Sequence, residues 1–121
     1  MNKLEPVDCT LNIWYHLPDE IWEKVPLLYS KMPGWMGFHD GTLNPYAKGI
    51  PFWFSFNETD QDQKYISASC EIGGLLLSGR MVEKEFDSWV KLFKENATSI
   101  LGFKVGEIDS GEVGYEIEWL K

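Results

Sequence analysis

Arginine occurs once in this sequence, at position 80, and with ten lysines it faces 19 acidic residues, for a formal net charge of −8. A protein that grips DNA or RNA displaces phosphate counterions with clustered Lys and Arg. No such cluster exists here, so nucleic acid is excluded as a partner. Cysteine occurs twice, too rarely for a disulfide framework. Cys9 and Cys70 both fall on apolar strand faces, which predicts reduced core thiols. Long hydrophobic runs are also missing. Asn2, Lys3, Glu5 and Asp8 break up the first residues, so neither a signal peptide nor a membrane span is expected, and the cytoplasm is the expected compartment. In that setting the two Asn-X-Thr matches, at Asn57 and Asn96, carry no sugar.

Catalytic signatures are scarce as well. The two histidines, His16 and His39, have no metal-spaced partners, so neither a metal nor another cofactor is expected. No glycine-rich phosphate loop and no nucleophile elbow occurs. Neither cysteine has neighbouring positive charge that would lower its pKa. The acidic, glutamine-rich stretch over residues 58–63 lacks the spacing and the glycine of a calcium-binding loop. It reads as a solvated turn.

What the chain does contain is a strong folding unit over residues 65–101. Two β-patterned runs flank Gly73-Gly74, and a two-residue turn there would pair Ile72 with Leu75, Cys70 with Leu77, Ala68 with Gly79 and Ile66 with Met81. One face of that hairpin is then apolar or small. A helix follows in which Phe86, Trp89, Val90, Phe93, Ala97, Ile100 and Leu101 form one wide stripe. Glu83, Glu85 and Asp87 suit its N-terminal turns and Gly102 its C-cap. The stripe is expected to lie on the apolar hairpin face.

Upstream, residues 7–15 alternate, with Val7, Cys9, Leu11, Ile13 and Tyr15 on one face and Asp8, Thr10, Asn12 and Trp14 on the other. Pro18 then opens a helix whose apolar positions run to Met32. Pro26 inside it predicts a kink or two short helices. Residues 33–51 form a glycine-rich loop carrying Trp35, Phe38, His39 and Tyr46, ordered by its aromatics and with a short strand near Trp35 to Phe38. Residues 52–57 predict a strand with Phe52, Phe54 and Phe56 inward and Trp53 outward. After the second helix, residues 103–109 and 112–120 predict a hairpin around Ser110-Gly111, in the register that opposes Phe103 to Trp119 and Val105 to Ile117. From 105 to 120 there are five acids and no base.

With 121 residues, no linker and no internal repeat, the chain is one domain, 1–121. The fold class expected is α+β: a mostly antiparallel sheet of about five to six strands with two helices on one face, a two-layer sandwich. Trp14, Trp53 and Tyr65 would lie on the outer face.

The run from Ile66 through Cys70, Gly73 and Gly74 to Leu75, followed by Phe86, Trp89, Phe93 and Leu101-Gly102-Phe103, resembles the small, acidic, Trp-rich immunity proteins of bacterial polymorphic and contact-dependent toxin systems. The resemblance implies a cytoplasmic, non-catalytic inhibitor that plugs a cognate toxin, often a basic nuclease. The surface charge agrees, since acidic residues steer basic partners. Expected contact residues are Trp35, Trp53, Glu58, Asp60, Asp62, Glu116 and Glu118. Two other readings stand beside this one. One is a small-molecule site under the 33–51 loop, lined by Trp35, Phe38, His39 and Tyr46. The other is a hydrolase working through His39 and Asp40.

Overall fold

A computed structural model of the chain describes residues 3–42, 45–55 and 62–120. Among these residues the order is β1 (Glu5–Leu11), α1 (Asp19–Trp22), α2 (Val25–Ser30), β2 (Trp35–Phe38), β3 (Pro51–Trp53), β4 (Tyr65–Glu71), β5 (Gly74–Met81) and α3 (Glu83–Leu101), with a turn of 3-10 helix at Pro45–Ala47. The strands form one sheet in the order β1-β5-β4-β3-β2, antiparallel throughout. Cys9, Leu11, Trp53, Ile66, Ala68, Leu75, Leu77 and Met81 are buried on one side of it, against Leu28, Tyr29, Phe86, Trp89, Phe93 and Ala97 of the helices. The architecture is a two-layer α+β sandwich.

Local sequence explains most of the elements. The stripe on α3 is buried as its spacing predicts, and Gly102 caps the helix in the left-handed conformation. Pro26 divides the first helical region: α1 stops at Trp22 and α2 restarts at Val25, with the proline in its first turn, where no helical N–H is required. The short strand at Trp35–Phe38 forms inside the aromatic loop as expected.

The central hairpin turns one residue earlier than its glycines suggest. Glu71 pairs with Gly74, Cys70 with Leu75, Ala68 with Leu77 and Ile66 with Gly79. Ile72 and Gly73 therefore make the turn, and the pairing is displaced by two residues from the Gly73-Gly74 expectation. A two-residue slip keeps paired side chains on their original face, so Ile66, Ala68, Leu75, Leu77 and Met81 are buried as expected. Ile72, now in the turn, is 87% exposed, and Cys70 is exposed as well. Gly74 is needed one step later, at φ +128°, because a Cβ there would strike the carbonyl oxygen of Leu11 on β1.

Three expectations are corrected. First, β1 ends at Leu11, and Asn12, Ile13 and Trp14 are all buried while Tyr15 is 60% exposed, so the alternation read through residue 15 stops four residues early. Second, the strand over residues 52–57 is shorter and faces the other way. Trp53 is fully buried, Phe52 faces outward, and Phe54 adopts φ +71°, which ends the strand. Its ring occupies the space that a side chain at Gly34 would fill, and its N–H bonds the Gly34 carbonyl at 2.7 Å. Phe56 lies outside the described residues. Of the aromatics expected on the outer face, Tyr65 alone keeps that place.

Third, the C-terminal hairpin is not built as two strands. Phe103 does bridge Trp119 in the expected register, with Lys104 N–H on Glu118 and Leu120 N–H on Gly102. Beyond that bridge the chain is captured elsewhere. Gly106 to Ile108 lie against the end of β1, where Asn12 N–H bonds Gly106 O at 3.1 Å and Ile108 N–H bonds Thr10 O at 3.3 Å. The cause is Asn12, only 1% exposed, whose Nδ2 donates to Lys104 O and whose Oδ1 accepts from Gly106 N–H, each at 3.0 Å. A buried amide is stable only when so satisfied.

Candidate functional site

β1 is an outer strand of the sheet, and its two ends are treated differently. Thr10 and Asn12 direct their backbone groups to the C-terminal segment. By the alternation of an antiparallel strand, Pro6 and Asp8 direct theirs the same way, beyond the point where that segment leaves. Between this stretch of β1 and the first half of α3 runs a groove of about 520 Å³. Phe86 and Val90 supply its apolar wall. Glu5, Asp8, Glu83, Asp87 and Glu107 set five carboxylates around it, against the single ammonium of Lys94.

That ammonium is already engaged. Lys94 Nζ lies 3.1 Å from Glu112 Oε1 and 3.6 Å from Glu107 Oε2. Burial pulls the Lys94 ammonium down, but Glu112 and Glu107 outweigh it and hold the pKa above the usual lysine value. Glu112 also accepts the Glu107 N–H at 2.8 Å, and this bond, with Lys94, keeps its carboxyl below the usual range. Among the described residues Glu5, Asp8, Glu83 and Asp87 have no ion-pair partner. The groove therefore keeps a strong negative field, and its apolar wall strengthens it by excluding water. Cys9 lines its floor. Burial, and then the Glu107 carboxylate beside it, push that thiol up to about 12, so it is inert at neutral pH.

The residues singled out in the sequence scatter. Trp53 is a core residue, its indole N–H on Tyr29 O at 3.1 Å and its ring 5.0 Å from Trp89, so it cannot serve as a contact anchor. Trp35 is half-buried in the same aromatic group, 5.4 Å from Trp53 and from Phe38. Glu116 and Glu118 are exposed, with Glu118 3.9 Å from Lys104. Asp62 is exposed near Lys3 and Arg80, at the opposite end of β1 from the C-terminal ribbon. Glu58 and Asp60 lie outside the described residues.

His39 and Asp40 serve the loop. Gly41 N–H donates to His39 Nδ1 at 2.9 Å, and Thr42 N–H to Asp40 Oδ1 at 2.8 Å. The bonds from Thr42 hold the Asp40 carboxyl below its ordinary value. These turn contacts brace a glycine-rich bend. A groove does lie under the 33–51 loop, but of the four residues expected to line it only Phe38 does. Tyr46 is 95% exposed. Cys70, expected in the core, is exposed at the lip of that groove. Among the described residues no three His, Cys, Asp or Glu side chains converge as a metal site, and no helix is long and apolar enough to cross a membrane.

The β1–α3 groove was missed in the sequence because its acids come from positions far apart, 5, 8, 83, 87 and 107. The signal available was the crowding of Glu83, Glu85 and Asp87 beside a strand bearing Glu5 and Asp8, which dipole arguments absorbed. Comparison with family models, with curated proteins and with solved structures gives no match.

Proposed function

We propose that this chain is a non-catalytic protein-binding module that receives a basic partner at the β1–α3 groove, and that the partner is a toxin neutralised in the manner of immunity proteins. The observation that carries this reading is the groove itself: four carboxylates without ion-pair partners among the described residues, set around an apolar wall and beside an open strand edge. Such a field raises the encounter rate of a basic protein. Trp53, expected as an anchor, is part of the core, so the contact rests on the carboxylates around the groove.

The test uses the basic protein captured by the immobilised chain from its source cells, followed as a purified pair. Association is expected to slow steeply with added salt. The double variant Asp8→Asn, Asp87→Asn is expected to slow it about ten-fold, with an unchanged melting temperature. A partner without excess positive charge, or an association rate indifferent to both salt and the double variant, sinks the reading.

A further inference from the structure

The groove under the 33–51 loop has a different chemistry and shares no residue with the β1–α3 groove. It measures about 390 Å³ and runs between α2 and the turn end of the β4–β5 hairpin, with residues 48–51 along its rim. Trp22, Pro26, Phe38, Ile50 and Pro51 make it apolar. A volume of this order accommodates a small organic molecule.

Two polar features point to what it takes. Tyr29 is only 5% exposed, yet its hydroxyl makes no hydrogen bond to any described residue. It lines the groove close to Cys70, and burial, with Cys70 adding, pushes the phenol pKa up, so it stays a protonated donor. The hydroxyl keeps some solvent access, so it is a donor that a ligand in the groove can reach. The second feature is charge. In a chain of net charge −8, the described lining of this groove contains one lysine, Lys48, and no carboxylate. Lys48 has no ion-pair partner among the described residues.

We propose that this groove binds a small molecule with an apolar body and a single acidic oxygen function. The body lies on Trp22, Phe38 and Ile50, the Tyr29 hydroxyl donates to the acid oxygen, and Lys48 supplies the complementary charge. The site is independent of the basic-partner reading, and either can fail without the other.

The probe is 1-naphthoate, titrated against the full chain by tryptophan fluorescence and by NMR, with its methyl ester as the uncharged comparator. Saturable binding of 1-naphthoate is expected with a Kd of about a millimolar or tighter, with shifts confined to Trp22, Tyr29, Phe38 and Ile50. Tyr29→Phe, which keeps the ring packing, should weaken it about five-fold. Lys48→Gln should weaken 1-naphthoate several-fold and leave the methyl ester unchanged. Both variants must melt with the parent chain. No saturable binding, equal affinity in the parent and both variants, or preference for the ester overturns the proposal.

Discussion

Asn12 and Gly106 are joined twice: the Asn12 N–H donates to Gly106 O at 3.1 Å, and the Gly106 N–H donates to Asn12 Oδ1 at 3.0 Å. Together with the bond from Asn12 Nδ2 to Lys104 O, they clamp the C-terminal segment on the end of β1. Replacing Asn12 by Ala strands the buried Gly106 N–H, at about 1–3 kcal/mol, and frees the part-buried Lys104 carbonyl at a smaller cost. The expected result is a loss of about 2–4 kcal/mol in urea unfolding, with amide exchange rising first over residues 103–108. Uniform exchange across the sheet would show that the clamp is shared more widely.

The two cysteines should differ sharply in reactivity. Cys70 is exposed and Cys9 is buried against Glu107. A thiol reagent is expected to modify one residue in the native chain and two in denaturant. The raised folded-state pKa of Cys9 also sets an alkaline limit. Below the unfolded value near 9 the thiol is neutral in both states; between about 9 and 12 the unfolded chain ionises first and stability falls. Cys9→Ala should flatten that part of the stability profile while lowering stability at neutral pH.

Glu112 links the C-terminal ribbon to α3 through Lys94. Its carboxyl pKa is depressed, so its contribution is present above the unfolded value of 4.5 and is lost as pH falls through the lower folded value. Lys94 has the opposite sign: its raised pKa contributes below 10.5 and is lost at higher pH. Glu112→Gln is expected to cost roughly 0.5–1 kcal/mol at pH 7, with the deficit closing in acid below the carboxyl range. A deficit independent of pH would assign the effect to packing.

Trp53 gives the clearest separation of core from contact. Its ring is fully buried and meets Tyr29 edge-on at 5.3 Å as well as Trp89. Trp53→Ala should cost about 3–5 kcal/mol, read as a shift of the urea midpoint. Trp53→Phe should cost less, chiefly the bond to Tyr29 O. If Trp53→Phe left stability unchanged while weakening partner capture, the ring would have to reach the surface.

The features legible in the sequence are those decided within a few residues. The α3 stripe, the break at Pro26 and the two-layer class follow from periodicity and from what proline does to a helix. The slipped hairpin kept the faces of its central pairs, because the error was an even number of residues, but its turn end, Cys70 and Ile72, came out exposed. Trp53 was misplaced for a nonlocal reason: Phe54 turns left-handed where its ring fills the space left open by Gly34, twenty residues away, and reverses which ring enters the core. The C-terminal ribbon failed the same way, since Asn12 competes for it across about ninety positions. The acids of the β1–α3 groove meet only after the sheet has been ordered. No window of sequence contains them together.

Pro6 has one more effect. Its ring nitrogen, which has no hydrogen, points out from β1 at the place where a further strand would need a donor, and Asp8 beside it adds a charge. Copies of this chain therefore cannot stack edge to edge into growing ribbons through β1. Concentrated samples should stay free of fibrils, and Pro6→Val with Asp8→Val should remove that protection.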